Sequence, residues 1–205
     1  MDSIALHEAA ARIDEQLDTM VKPHRASHSR ATARLAAELC ERFGIDPAQG
    51  LLAGLAHDMC RDLQPSRQLT MAEAYAIGHP IFAARESFQS LLQDERFRDK
   101  MLHGPAAAYA LESDYRIKDT AILEAVAFHS IGDTHLDDLA KIVFIADKLE
   151  PGRARRPSDA DSMLHTLSLE PLFRYTIACI HDWFSNQGME LAPFTRVLYA
   201  RIAAS

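Results

Sequence analysis

The stretch Asp46-Pro-Ala-Gln-Gly-Leu-Leu-Ala-Gly-Leu-Ala-His57-Asp58 decides the fold class. Asp46 before Pro47 reads as a helix start. The carboxylate accepts from an N–H that the helix leaves unpaired, and proline at the first helical position gives up only an N–H of that same kind. Leu51, Leu52 and Leu55 then recur at helical spacing, so the segment is expected to be a helix that carries the pair His57-Asp58.

The same pattern extends in both directions. Upstream, Leu6, Ile13, Leu17 and Met20-Val21 mark one face of an opening helix. A second helix is expected from about Ser27 to Phe43, stopped by Gly44. Downstream, Thr70 and Glu73 have capping-box spacing and suggest a short helix before Gly78. Pro105 is expected to open another, and Asp119 to cap one that ends near His129. Asp137 or Asp138 starts an apolar helix through Ile142, Val143, Ile145 and Ala146, which Pro151-Gly152 must stop near Glu150. Two or three further helices follow, with Pro171 and Pro193 near their boundaries. No segment alternates apolar and polar residues as a strand does. The expected class is all-α, a single helical domain over residues 1–205.

Composition agrees. Of 205 residues, 48% are hydrophobic, enough for a real core, and only 7% are aromatic. A net charge of −7 argues against a nucleic-acid-binding role, since such domains are usually strongly basic. No apolar run approaches the roughly 20 residues that span a bilayer, and the N-terminus does not read as a signal peptide. Cys40, Cys60 and Cys179 form no short-spaced pair, which fits a reducing cytoplasm.

Some polar residues do not belong in such helices. Asp147 sits within Ile142-Val-Phe-Ile-Ala-Asp-Lys-Leu149, and His57-Asp58 follows an apolar run. A buried carboxylate must be paired, protonated or bound to a metal. Alone, a histidine there reads first as a hydrogen-bonded packing residue, and a single aspartate equally well as a partly exposed residue or as part of a site. Together, His28, His57, Asp58 and Asp147 offer two imidazoles and two carboxylates from three helices. That donor set suits iron, manganese or zinc rather than calcium, which prefers oxygen alone.

These residues, in this order, resemble the signature of the HD-domain metal phosphohydrolase superfamily. The finer resemblance is to its YqeK type, the symmetrical diadenosine tetraphosphate hydrolases. It rests on His24-Arg-Ala-Ser-His28, Ala53-Gly-Leu-Ala-His-Asp-Met-Cys-Arg61, Leu102-His-Gly104, Ala127-Phe-His-Ser130 and Ile145-Ala-Asp-Lys-Leu-Glu-Pro-Gly-Arg153. The resemblance implies an HD-domain helical bundle with a core over about 24–153 and extra helices at both ends. It implies metal ligands at His28, His57, Asp58 and Asp147, and phosphate or nucleotide contacts at Arg25, Arg61, His103, His129, Ser130 and Arg153. Arg61 stands where a lysine is usual and Ser130 where a threonine is usual. The segment from about Leu69 to Lys100 is longer than in typical members, and Thr195 alone suggests a contact in the C-terminal third.

The implied cofactor is a divalent or trivalent transition metal, iron first and manganese or zinc next, with one ion or two. Asp58, His103 and His129 are the implied catalytic groups. The two histidines are either ligands of a second ion or phosphate contacts and proton donors. The reaction that the resemblance implies is attack of a metal-activated water on the second phosphorus of diadenosine tetraphosphate, with release of two ADP. Two readings compete: another HD-domain nucleotide phosphohydrolase, acting on mononucleotides or guanosine polyphosphates, or a non-catalytic nucleotide-binding module. The expected partner is a small nucleotide, with no nucleic acid and no membrane, and the chain is a candidate homodimer. Arg155 and Arg156 read equally well as a solvated basic turn, Glu150 as a partner for one of these arginines, and His24 as a supporting residue. His7, His79, His135, His165 and His181 carry no assigned role.

Overall fold

A computed structural model describes residues 2–203, and every regular element among them is an α-helix. Helix α1 (Ser3–Met20) is capped by Asp2, whose side chain accepts from the Ile4 N–H, and it buries Leu6, Ala10, Ile13 and Leu17. Helix α2 (Pro23–Arg42) starts four residues earlier than expected, because Pro23 can occupy its first turn; Gly44, at φ 77°, turns the chain after it. Helix α3 (Pro47–Ala56) begins as anticipated, with Asp46 accepting from the Ala48 N–H. It ends at Ala56, however, so His57 is its C-cap and Asp58 lies in the turn beyond rather than inside the helix.

The segment between α3 and the helix that opens at His103 holds four helices: α4 (Pro65–Gly78), α5 (Pro80–Ala83), α6 (Glu86–Gln93) and α7 (Glu95–Met101). The start of α4 corrects the capping-box reading. Pro65 opens the helix, and Thr70 lies within it, its hydroxyl donating back to the Ser66 carbonyl. Helix α8 (His103–Tyr115) begins two residues before Pro105, which still sits in its first turn. Helices α9 (Thr120–Phe128) and α10 (Asp138–Leu149) carry the expected caps: Asp119 accepts from Ala121 and Ile122, and Asp137 accepts from Ala140. Three helices complete the chain: α11 (Ala160–Thr166), α12 (Leu169–Asn186) and α13 (Pro193–Ala203).

Helix α3 occupies the centre, packed against α1, α2, α9 and α10, while α10 also meets α12 on its other side. Leu52, Ile122, Val126, Ile142 and Ile145 are fully buried between them. Each such side chain contributes about 1.5–3 kcal/mol relative to exposure. Gly54 sets how closely α3 approaches α2, since a β-carbon there would lie 2.4 Å from the Ala33 Cα. Gly104 does the same between α8 and α9: its β-carbon would meet the Ala127 carbonyl oxygen at 2.7 Å. The first contact seats His57 beside His28, and the second seats His103 beside His129.

Among the described residues no helix is long and apolar enough to cross a membrane. Cys40 and Cys60 are buried thiols whose pKa burial pushes up to about 12, so both are unreactive packing groups.

Candidate metal centre

Parts of four helices converge on the site. His28 projects from the second turn of α2, His57 and Asp58 follow α3, His129 follows α9, and Asp147 lies inside α10. His57 and His129 are held alike. Each ring's Nδ1–H donates to the carbonyl three residues back, Gly54 at 2.7 Å and Val126 at 2.8 Å. Carbonyls at a helix C-terminus lack an intrahelical partner, so they are free to accept these bonds. With the proton fixed on Nδ1, both rings aim an Nε2 lone pair at the site.

His28 is arranged the same way by a side chain. Its Nδ1 donates to Glu150 Oε1 at 3.1 Å, which leaves Nε2 facing Asp147 Oδ1 at 2.9 Å and His57 Nε2 at 3.2 Å. His57 Nε2 is 3.7 Å from the same carboxylate oxygen. Two imidazole nitrogens and a carboxylate oxygen thus converge on one point, a donor set that a metal ion could share. Bonds of about 2.0–2.2 Å to a transition metal would set neighbouring ligand atoms roughly 3.0–3.5 Å apart, close to the spacings seen. The donor set therefore fits such an ion.

A second group overlaps the first. His57, Asp58 and His129 also offer ligand atoms within 4.8 Å of one another. Asp58 leans towards this side: its Oδ1 is 3.1 Å from His103 Nε2 and 3.7 Å from His129 Nε2, whereas its Oδ2 is 3.9 Å from His57 Nε2. His103 is held differently from the other imidazoles. Arg61 Nη1 lies 2.6 Å from its Nδ1 and 2.9 Å from its Nε2, and Nε2 in turn faces Asp58 Oδ1 at 3.1 Å and His129 Nε2 at 3.1 Å.

Charge in the site follows from these contacts. Burial pushes His57 down to about 3 and His103 to about 4, so both are neutral at physiological pH. Burial opposes protonation of His28 too, but the Asp147 and Glu150 carboxylates outweigh it and raise its pKa. Asp147 stays ionised well below the carboxylate range despite burial, because Lys148 and Arg153 both pair with it. The imidazoles around Asp58 do the same for that carboxylate.

A cavity of about 270 Å³ opens over this cluster. Asp58, His103, His129 and Asp147 form its floor. Arg25, Arg61, Lys100, Lys148, Arg153 and Arg155 surround it, six cations against two carboxylates. Ser130 and Thr195 lie on its wall, which α12 and α13 complete with Ile180, Phe184 and Leu191. All six anticipated substrate contacts thus line one cavity. Arg25 is 3.1 Å from Asp62, and the Ser130 hydroxyl donates to the Met101 carbonyl at 3.3 Å.

Sequence reasoning missed three participants. Glu150 pairs with His28 rather than with an arginine, and it also accepts from the Gly152 N–H. Lys148 packs against Asp147 and donates to the His129 carbonyl at 3.2 Å. Of the two ambiguous arginines, Arg155 faces the cavity with its guanidinium 5.3 Å over the Trp183 ring. Arg156 turns away to Asp161 and the Leu149 carbonyl. The order of the basic turn gave no sign of this division.

The chain is similar to several known proteins. The chain is 30% identical over 129 residues to the protein named bis(5'-nucleosyl)-tetraphosphatase, symmetrical, of Staphylococcus aureus (strain NCTC 8325 / PS 47); the match covers 63% of this chain and 60% of that one. The protein of the same name in Bacillus subtilis (strain 168) is 29% identical over 147 residues, covering 72% and 70%. The fold matches the crystal structure of a predicted HD superfamily hydrolase involved in NAD metabolism from Clostridium acetobutylicum, with a TM-score of 0.74 over 95% of this chain and 96% of that one at 23% identity. Residues 25–152, which include His28, His57, Asp58, His129 and Asp147, match the family model described as HD domain, and the chain belongs to that family.

Proposed function

We propose that this protein is a metal-dependent hydrolase that cleaves diadenosine tetraphosphate symmetrically into two ADP. The observation that carries the reading is the meeting, in one cavity, of convergent imidazole and carboxylate donors with six cationic side chains. The names of the Staphylococcus and Bacillus relatives support the choice of substrate. His28, His57, Asp58 and Asp147 would hold the metal, iron by preference, with His129 available to a second ion. Bound there, a transition metal supplies Lewis acidity, neutralising phosphoryl oxygens and making a water acidic enough to attack at neutral pH.

The chain's own groups do the rest. Arg25, Arg61, Arg153 and Arg155 neutralise the phosphate chain, which is how an acidic protein can hold a polyanion. His103 directs its Nε2 into the site, 3.1 Å from Asp58 Oδ1, with the Arg61 guanidinium against the ring. As a neutral ring it would donate a hydrogen bond to the phosphoryl oxygen on which charge develops, ADP leaving as its anion, and Asp58 fixes its direction. Ser130 and Thr195 contact the substrate from the wall, while Ile180, Phe184 and Leu191 exclude water from it.

Purified protein loaded with iron or manganese is expected to release ADP, and no inorganic phosphate, from diadenosine tetraphosphate. Asp147→Asn is expected to abolish turnover with the helical circular dichroism intact. Phosphate release from mononucleotides, or near-normal activity in the variant, contradicts the reading.

A further inference from the structure

The catalytic cavity, at about 270 Å³, falls below the range of roughly 300–1,000 Å³ typical of sites that enclose one drug-sized molecule. A dinucleoside tetraphosphate is larger than such a molecule, so that cavity accommodates one half of it. A second, larger groove of about 850 Å³ lies on the opposite side of the same residues, between α2, α11 and the turn after α10.

The two spaces meet at the metal ligands. His28 lines the groove and Asp147 lines the catalytic cavity, and their facing atoms are 2.9 Å apart. Two pairs of consecutive residues straddle the same ridge: His24 faces the groove and Arg25 the cavity, as do Gly152 and Arg153. A phosphate chain crossing this ridge would pass over the metal centre and emerge in the groove.

The groove differs from the cavity in charge. Its three arginines, Arg34, Arg42 and Arg156, are balanced by the carboxylates Glu38, Glu150 and Asp161. Arg42 is already committed to the Leu164 and Leu167 carbonyls, and Arg156 to Asp161. Its floor is apolar, with Ala31, Leu35, Leu39 and Leu164. Such a surface suits a nucleoside rather than a polyphosphate, and Glu38 offers an exposed acceptor for an exocyclic amino group.

We infer that this groove is a second nucleoside subsite, which holds the far adenosine while the tetraphosphate spans the ridge between His28 and Arg153. The inference rests on the function proposed above and adds the place where the other half of the substrate sits. It accounts for cleavage at the middle of the chain, since a nucleoside seated on each side centres the phosphates over the ligands.

Titration of the metal-loaded protein with ADP, followed by calorimetry, tests it. Two ADP per chain are expected, one of which changes the fluorescence of Trp183, the sole tryptophan, beside the catalytic cavity. Ala31→Phe, which fills the groove, is expected to reduce the count to one and keep the Trp183 response. It should also raise the KM for diadenosine tetraphosphate at least tenfold. Glu38→Ala, an exposed position that carries no risk to folding, is expected to weaken the same second site. One ADP per wild-type chain, or two in Ala31→Phe, overturns the inference. Two bound ADP without turnover of diadenosine tetraphosphate would leave the groove standing and remove the proposed reaction instead.

Discussion

Gly54→Ala tests whether the spacing of α2 and α3 sets the metal centre. The added methyl would lie 2.4 Å from the Ala33 Cα, whereas ordinary contact begins near 3.4 Å. Both atoms belong to helix backbones or sit directly on them, so no side chain can swing aside. The helices must separate by about 1 Å, and His57, three residues on, moves away from His28. Overpacking of this severity costs about 3 kcal/mol, offset by roughly 1 kcal/mol from alanine's better helix propensity. The net loss of about 2 kcal/mol lowers Tm by roughly 4–8 °C in a chain of this size. Misplacement of a ligand by about 1 Å is expected to lower kcat by about 100-fold, a larger effect than the stability loss alone produces at 25 °C. Thermal denaturation and steady-state ADP release measure the two effects side by side. Gly78→Ala is the control: its β-carbon meets nothing within 4 Å, so kcat should stay unchanged and Tm should hold or rise slightly with alanine's helix propensity. Wild-type kcat and Tm in Gly54→Ala would refute the argument.

Other consequences can be measured independently. Glu150→Gln keeps the size of the side chain but weakens its hold on His28 Nδ1, and it is expected to lower metal affinity 10–100-fold in a competition titration with a chelator. Arg155→Ala is expected to raise the KM for diadenosine tetraphosphate several-fold with kcat little changed, and to alter Trp183 emission. Asp137→Asn is expected to stabilise the protein at pH 8 and not at pH 4. Burial and the nearby Glu124 raise the Asp137 carboxyl to about 6, so folding favours its protonated form. The stability this provides is complete below its unfolded pKa near 4 and is lost as pH rises through 6, at about 1.4 kcal/mol for each pH unit between the two values. Asparagine keeps the helix cap without the charge, and urea denaturation at the two pH values should show a gain of about 1–3 kcal/mol only at the higher one.

The helices were legible wherever a cap announced them. Asp46, Asp119 and Asp137 each accept the bonds expected of them, because capping is a local interaction written within four residues. Thr70 misled because the same short spacing also occurs inside helices, where a threonine hydroxyl can bond one turn back instead. The donor residues stood out because carboxylates in apolar helices are costly. Glu150, Lys148 and Arg155 did not, since their burial depends on partners 19 to 122 residues away, contacts that no local pattern encodes. The glycine seam was equally hidden, for Gly54 reads as a weak spot in a helix until Ala33 is found against it.

The repeated way of holding His57 and His129 has a wider consequence. The two rings are aimed by main-chain carbonyls at the ends of α3 and α9, groups present whatever side chains surround them. Evolution can therefore rewrite the walls of the cavity and the groove, and so the substrate, without re-aiming these two imidazoles. Reactivity is inherited with the backbone, and specificity is left to vary. A scaffold divided in this way can pass from one nucleotide substrate to another in small steps, each keeping the same aimed imidazoles.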